Sequence, residues 1–175
     1  MSGRGSTGGR SKGGTLDEAT LSAHSKTCLS LLLARFPQFA PFVQPSEYFD
    51  GCWTAEIPWP DNRWGQEGLR VQTWITEYGN YRKEEFRVDL PNWHDHFADW
   101  DNTGTSDFVN EALDFVDDFF DERIVLAEKS NLSHVVSVQI VDFDYDPNAV
   151  GWEKGIERVR TNSWHGTCDN DWVKE

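Results

Sequence analysis

Two histidines one residue apart, His94 and His96 in the run Trp93-His94-Asp95-His96-Phe97-Ala98-Asp99-Trp100, are the side chains whose spacing best suits chemistry. Extended backbone sends alternate residues to the same face, so a strand here places both imidazoles side by side, where they could hold a divalent transition metal that activates water. Asp99, His165 and Cys168 are the residues that could complete such a site and make the protein a metal-binding protein or a metal-dependent hydrolase. A single His-x-His has little specificity, however. The plainer reading is a strand end whose histidines make ordinary hydrogen bonds while Trp93, Phe97 and Trp100 anchor it.

Other chemistries leave fainter traces. The pair resembles the His-x-His opening of metallo-β-lactamase-type hydrolases, but that family continues x-Asp-His, whereas Phe97-Ala98-Asp99 brings the acid one place late and no further His. Cys28, Cys52 and Cys168 stand in no Cys-x-x-Cys pair, no Gly-x-Ser-x-Gly elbow occurs, and no glycine-rich loop ends in Gly-Lys-Ser or Gly-Lys-Thr, so nucleophilic and nucleotide chemistry lack a signature. Asp142, Asp144 and Asp146 alternate like the start of a calcium loop, but Pro147 follows where that loop needs glycine, which reads as a strand-end turn. Trp53, Trp59, Trp64 and Trp74 could stack a sugar or another flat ligand, and equally could fill a core short of aliphatic residues.

The stronger feature is Ser106 to Glu122, SDFVNEALDFVDDFFDE. Phe108, Ala112, Phe115, Val116, Phe119 and Phe120 recur at helical steps on one side, and Asp107, Glu111, Asp114, Asp118 and Asp121 recur around the other. Seven acids lie in this stretch with no Lys or Arg among them, so like charges repel at every turn, and those near the C-terminal end also oppose the helix dipole. A cationic partner would relieve that repulsion. The helix therefore predicts a docking surface for a basic protein, reached by long-range steering, with Trp74 and Trp100 at its rim. Nucleic acid is excluded by the same charge.

The elements that must position these groups follow from periodicity. Thr15 and Glu18 have capping-box spacing for a helix that runs to about Phe36, buries Leu21, Cys28, Leu29, Leu32 and Phe36, and gives way at Pro37, Pro41 and Pro45 to an extended surface linker. From Cys52 the period shifts toward two, with an edge strand at Trp53 to Glu56. A hairpin follows: Leu69 to Thr76 alternates, Tyr78-Gly79-Asn80 turns, and Phe86, Val88 and Leu90 resume the alternation. After the acidic helix come a short extended piece at Ile124 to Ala127, a buried strand at Val135 to Val141 and a final strand at Ile156 to Ser163. The order α-β-β-β-α-β-β, without repeated βαβ units, predicts an α+β fold in which a mainly antiparallel sheet is packed by two helices.

A chain of 175 residues suits one domain, predicted over 15–175. Residues 1–14 hold Arg4, Arg10 and Lys12, no acid and six glycines, a composition that predicts a disordered tail. Removing its charge of +3 from the formal −14 leaves −17 on the remainder. No apolar run approaches the roughly 18 residues of a membrane span, and the start lacks a secretory signal, so a soluble, cytoplasmic protein with reduced thiols and no membrane partner is expected.

The run from Leu69 to Lys129 resembles small bacterial proteins of the toxin-immunity type. The resemblance rests on the alternating strands, on WHDHF at Trp93 to Phe97 and on EALDFVDDFFDERIV at Glu111 to Val125, and it covers about a third of the chain. It implies a non-enzymatic inhibitor that docks a toxin or effector.

Overall fold

The computed structural model describes residues 16–60, 68–78, 81–98, 105–131 and 133–174. The expected tail, Thr15, Trp64, Asp99 and Trp100 lie outside the described residues.

Two caps in succession open the described residues. The Asp17 carboxylate accepts the Ala19 N–H at 3.0 Å to begin a short 3-10 turn, Glu18–Thr20. The Ser22 hydroxyl then accepts the Ser25 N–H at 3.1 Å and opens α1, Ala23–Arg35. The helix expected beside Thr15 thus begins later, where a serine satisfies the orphan amides. Its inner side holds Cys28, Leu29 and Leu32, and burial pushes the Cys28 thiol far above its ordinary range, consistent with an inert core thiol.

The proline-rich stretch is not an extended linker. Pro37–Phe42 winds into a second 3-10 turn, where Pro37 occupies the first position and its missing N–H leaves no bond unmade. Phe39 is buried there, stacked on Phe36 at 5.0 Å between ring centroids. An apolar side chain in the linker outweighed the prolines' preference for extension.

Five strands follow as a meander in sequential order, all pairs antiparallel: β1 Val43–Pro45, β2 Trp53–Ile57, β3 Leu69–Tyr78, β4 Tyr81–Leu90 and β5 Trp93–Phe97. Alternation divides them into two faces. Trp53, Ala55, Ile57, Leu69, Val71, Phe86, Val88 and Leu90 are buried on one face, against α1 and against α2, Thr105–Phe120. Helix α2 turns Val109, Ala112, Leu113, Val116 and Phe119 inward, and Phe115 and Phe120 border that stripe, stacking on Trp93 at 5.1 Å and leaning on Trp164 at 4.5 Å.

Past α2 the chain forms a second antiparallel sheet of β6 Ile124–Ser130, β7 Val135–Asp142, β8 Arg158–Asn162 and β9 Asn170–Val173, in the order β7-β6-β8-β9, with one turn of helix, α3 Pro147–Val150, between β7 and β8. The fold is α+β, with two sheets. The short piece expected at Ile124 is a full strand paired on both sides; Val125, Leu126 and Ala127 are all buried, and a strand covered on both faces shows no alternation in its sequence. Leu126 and Trp164 join the same core as the helices. Trp59, Phe119 and Trp164 meet there with centroids 4.9 to 6.1 Å apart, tilted and edge-on pairs that add about 1 kcal/mol each beyond the area they bury. No helix among the described residues is long and apolar enough to cross a membrane.

Candidate functional site

The acidic helix forms as its periodicity predicts. Asp107, Glu111, Asp114 and Asp121 are exposed and Asp118 is half-exposed. Its charges are nevertheless partly answered from outside the helix. Arg35, in the last turn of α1, reaches Asp114 at 2.5 Å through one guanidinium nitrogen and pairs with Asp117 through the others. Burial works against this cation, but the hydrogen bonds to Asp114 and Asp117 outweigh it and raise its pKa above the ordinary value. Arg123, just past the helix, meets Asp118 at 2.5 Å and Asp121 at 3.4 Å. The expectation of unrelieved repulsion is therefore corrected for the C-terminal half of α2. Helix periodicity sees only neighbours three and four places apart, whereas Arg35 arrives across the helix pair.

Glu122 belongs to a different class. It sits at φ 56, just past α2, and its buried carboxylate accepts the His165 N–H at 2.5 Å and the Thr167 hydroxyl. This acid ties the end of α2 to the β8–β9 connection. His165 and Cys168 lie in that same connection, in the second sheet, whereas His94 and His96 lie on β5 in the first.

The strand predicted for His94 and His96 is present, and both imidazoles share a face, with ring centroids 5.3 Å apart. Register then adds a partner that spacing could not show. Arg87 pairs with His96 across β4 and β5, and Glu85, two places along β4, puts a carboxylate oxygen 2.6 Å from His96 Nδ1. The same oxygen accepts the Thr76 hydroxyl at 3.0 Å. A carboxylate at Nδ1 holds the ring proton there and leaves Nε2 of a neutral ring as acceptor, the arrangement of an oriented general base or metal-ligating histidine. Among the described residues no group of three or more His, Cys, Asp or Glu side chains is arranged to hold a metal ion.

The remainder of this face carries paired polar groups. Asp89 accepts from Gln72 Nε2 and from Arg87 Nε, each at 2.8 Å, and Arg70 donates to Glu56 at 2.7 and 3.0 Å. The Arg87 guanidinium also lies 4.8 Å from the Trp74 ring centroid, while Phe49 meets the same ring edge-on at 4.8 Å and Tyr48 at 5.7 Å. Trp74 was expected at the rim of the acidic helix. It sits instead on the sheet face opposite α1 and α2, since its neighbour Thr73 bonds Ser25 of α1 at 3.0 Å, and it is half-buried beneath the β1–β2 loop. Alternation gave Trp74 its face, but only the tertiary structure supplied its cover.

The other sequence candidates are structural. Trp53 and Trp59 are buried, and Trp53 donates its indole N–H to the Ser25 carbonyl at 2.8 Å, which removes them from any open cleft. Asp146 caps α3 by accepting the Asn148 N–H at 2.8 Å, as a strand-end turn requires. Glu153, twelfth in line counted from Asp142, pairs with the buried Lys129. A cavity of about 430 Å³ opens where β2 and β4 end, between Glu56, Arg70, Asp89, Asn92, Trp93 and His94. Arg35, Glu85 and Asp117 escaped sequence reasoning; the one signal for Arg35 was its place as the basic residue of the last turn of α1.

No family model, curated protein or solved structure matches the chain.

Proposed function

We propose that the protein is a non-enzymatic binding protein of the immunity type, which captures a basic protein partner, such as a toxin or effector, through the carboxylate face of α2. The observation that carries this reading is the uneven neutralisation of that face. Asp107, Glu111, Asp114, Asp117, Asp118 and Asp121 face outward or partly outward, and among the described residues only Arg35 and Arg123 answer them, so six charges against two leave a net of four negative charges there. Both arginines sit toward the C-terminal half. Asp107 and Glu111 have no cationic partner among the described residues, and they occupy the N-terminal half, where carboxylates also favour the helix dipole. A surface that is negative at one end and braced at the other is preorganised to meet a basic patch without losing its own fold.

The test uses affinity capture from the native host. The wild-type chain should retain a basic protein that raised salt releases, because exposed charge pairs are screened. The Asp107→Lys/Glu111→Lys double variant, whose changes touch no arginine contact, should keep its circular dichroism spectrum and lose capture by about tenfold or more. Retention at wild-type level by the folded variant removes the assignment.

A further inference from the structure

We propose that His94 and His96 bind one divalent late transition metal ion, of the class of Zn2+ and Cu2+, and that Glu85 is the residue that positions His96 for it. The strand that carries the pair is anchored from its other side. Trp93 and Phe97, of opposite parity on β5, lie against Phe115 of α2 with ring centroids 5.1 and 6.2 Å away. That packing fixes the roll of β5 and turns both imidazoles to the face of the sheet away from the helices. His94 is exposed and His96 half-buried, so an ion in solution reaches them. Two imidazoles that share a tetrahedral ion, each nitrogen about 2.0 to 2.1 Å from it, hold their ring centroids about 5 Å apart; these two stand 5.3 Å apart.

Glu85 is an independent observation that points the same way. Its residue is 3% exposed, and a buried acid needs partners to offset its lost hydration. The partners are the Thr76 hydroxyl at 3.0 Å and His96 Nδ1 at 2.6 Å, both on the same carboxylate oxygen. With the ring proton held on Nδ1, the lone pair of Nε2 is free to ligate, as in the carboxylate–histidine–metal arrangement. Arg87 faces His96 in the register, but its charge is answered by Asp89 at 2.8 Å and its guanidinium lies over Trp74. Among the described residues no third ligand joins the pair, so water fills the other positions. Imidazole with water selects Zn2+, Ni2+ and Cu2+ over Ca2+ and Mg2+, which take oxygen ligands. The site lies across the first sheet from α2 and does not use its carboxylates.

The test is calorimetric titration of the full chain, free of any affinity tag, with Zn2+ alone at about pH 7.5, where imidazole is mostly neutral. A Cys168→Ser background removes the one thiol that is not buried. One ion per chain is expected. The His94→Ala/His96→Ala variant, folded by circular dichroism, should lose that ion, and Glu85→Gln should weaken binding by about tenfold. Nitrogen NMR of the imidazole rings separates positioning from a merely structural role: the metal-free protein should carry the His96 proton on Nδ1. Zn2+ should move the ring signals of His94 and His96 and leave those of His24, His134 and His165 in place. The site is overturned by the absence of a stoichiometric ion, by equal binding in the folded double variant, or by shifts confined to the other histidines. Wild-type affinity in Glu85→Gln, or a His96 proton on Nε2, overturns the role of Glu85.

Discussion

The Arg35 guanidinium donates its Nε–H to Asp117 Oδ2 at 2.5 Å across 82 positions of sequence, and in doing so joins the C-terminal end of α1 to the last turn of α2. The same side chain holds Asp114 one turn earlier. Two helices with opposite demands are reconciled there: α1 ends in a cation that suits its dipole, and α2 carries the acids that repel one another.

Replacing Arg35 by Gln should lower stability by about 0.5 to 1 kcal/mol, the scale of a partly exposed charge network. Urea unfolding at low and high salt measures it, and the loss should shrink at high salt. The same variant leaves α2 more negative, so a captured basic partner should bind more tightly even as the fold weakens. Equal stability of Arg35→Gln and wild type at low salt would show that the clamp contributes nothing.

Gly68 opens the path into β3 where no side chain fits. A Cβ there would lie 1.9 Å from the Ile57 carbonyl oxygen and 2.9 Å from its carbon, and both are backbone atoms that no rotamer change can move aside. Gly68→Ala should cost roughly 1 to 3 kcal/mol or more, as overpacking does, by prising apart the Ile57–Leu69 pairing. A thermal midpoint equal to wild type would contradict this close approach.

His24 predicts a pH dependence. Burial lowers its pKa, more strongly than Glu84 and the Glu85 backbone raise it, and its ring lies against Phe108 at 5.8 Å with Cys28 Sγ 3.4 Å from Nε2. The unfolded chain therefore takes up a proton at a higher pH than the folded one. Stability from this group is complete above the ordinary histidine pKa of 6.5 and is lost as pH falls from there through the lowered folded value. Denaturant unfolding at about pH 7.5 and about pH 5.5 should show a smaller drop for His24→Gln than for wild type. An identical drop in the two proteins would remove His24 as the cause.

Much of this arrangement was legible in the residues. The apolar stripe of α2, the β3–β4 hairpin and the shared face of His94 and His96 all follow from local periods of 3.6 and 2, which backbone geometry imposes on any sequence. Strand β6 was under-read because Val125, Leu126 and Ala127 are covered on both sides, and Phe39 turned an expected linker into a buried turn.

The residues by themselves determined the fold class, the acid face of α2 and the histidine pair, because each depends on the order of neighbouring side chains. Only the tertiary structure decided which charges are answered and which surfaces stay open. Arg35 meets Asp117, and Glu85 meets His96, only once helices and strands are set in register, and β7 is an edge only because no other described strand comes to lie beside it. Such pairings are set by packing between distant segments, which the local spacing of residues does not encode.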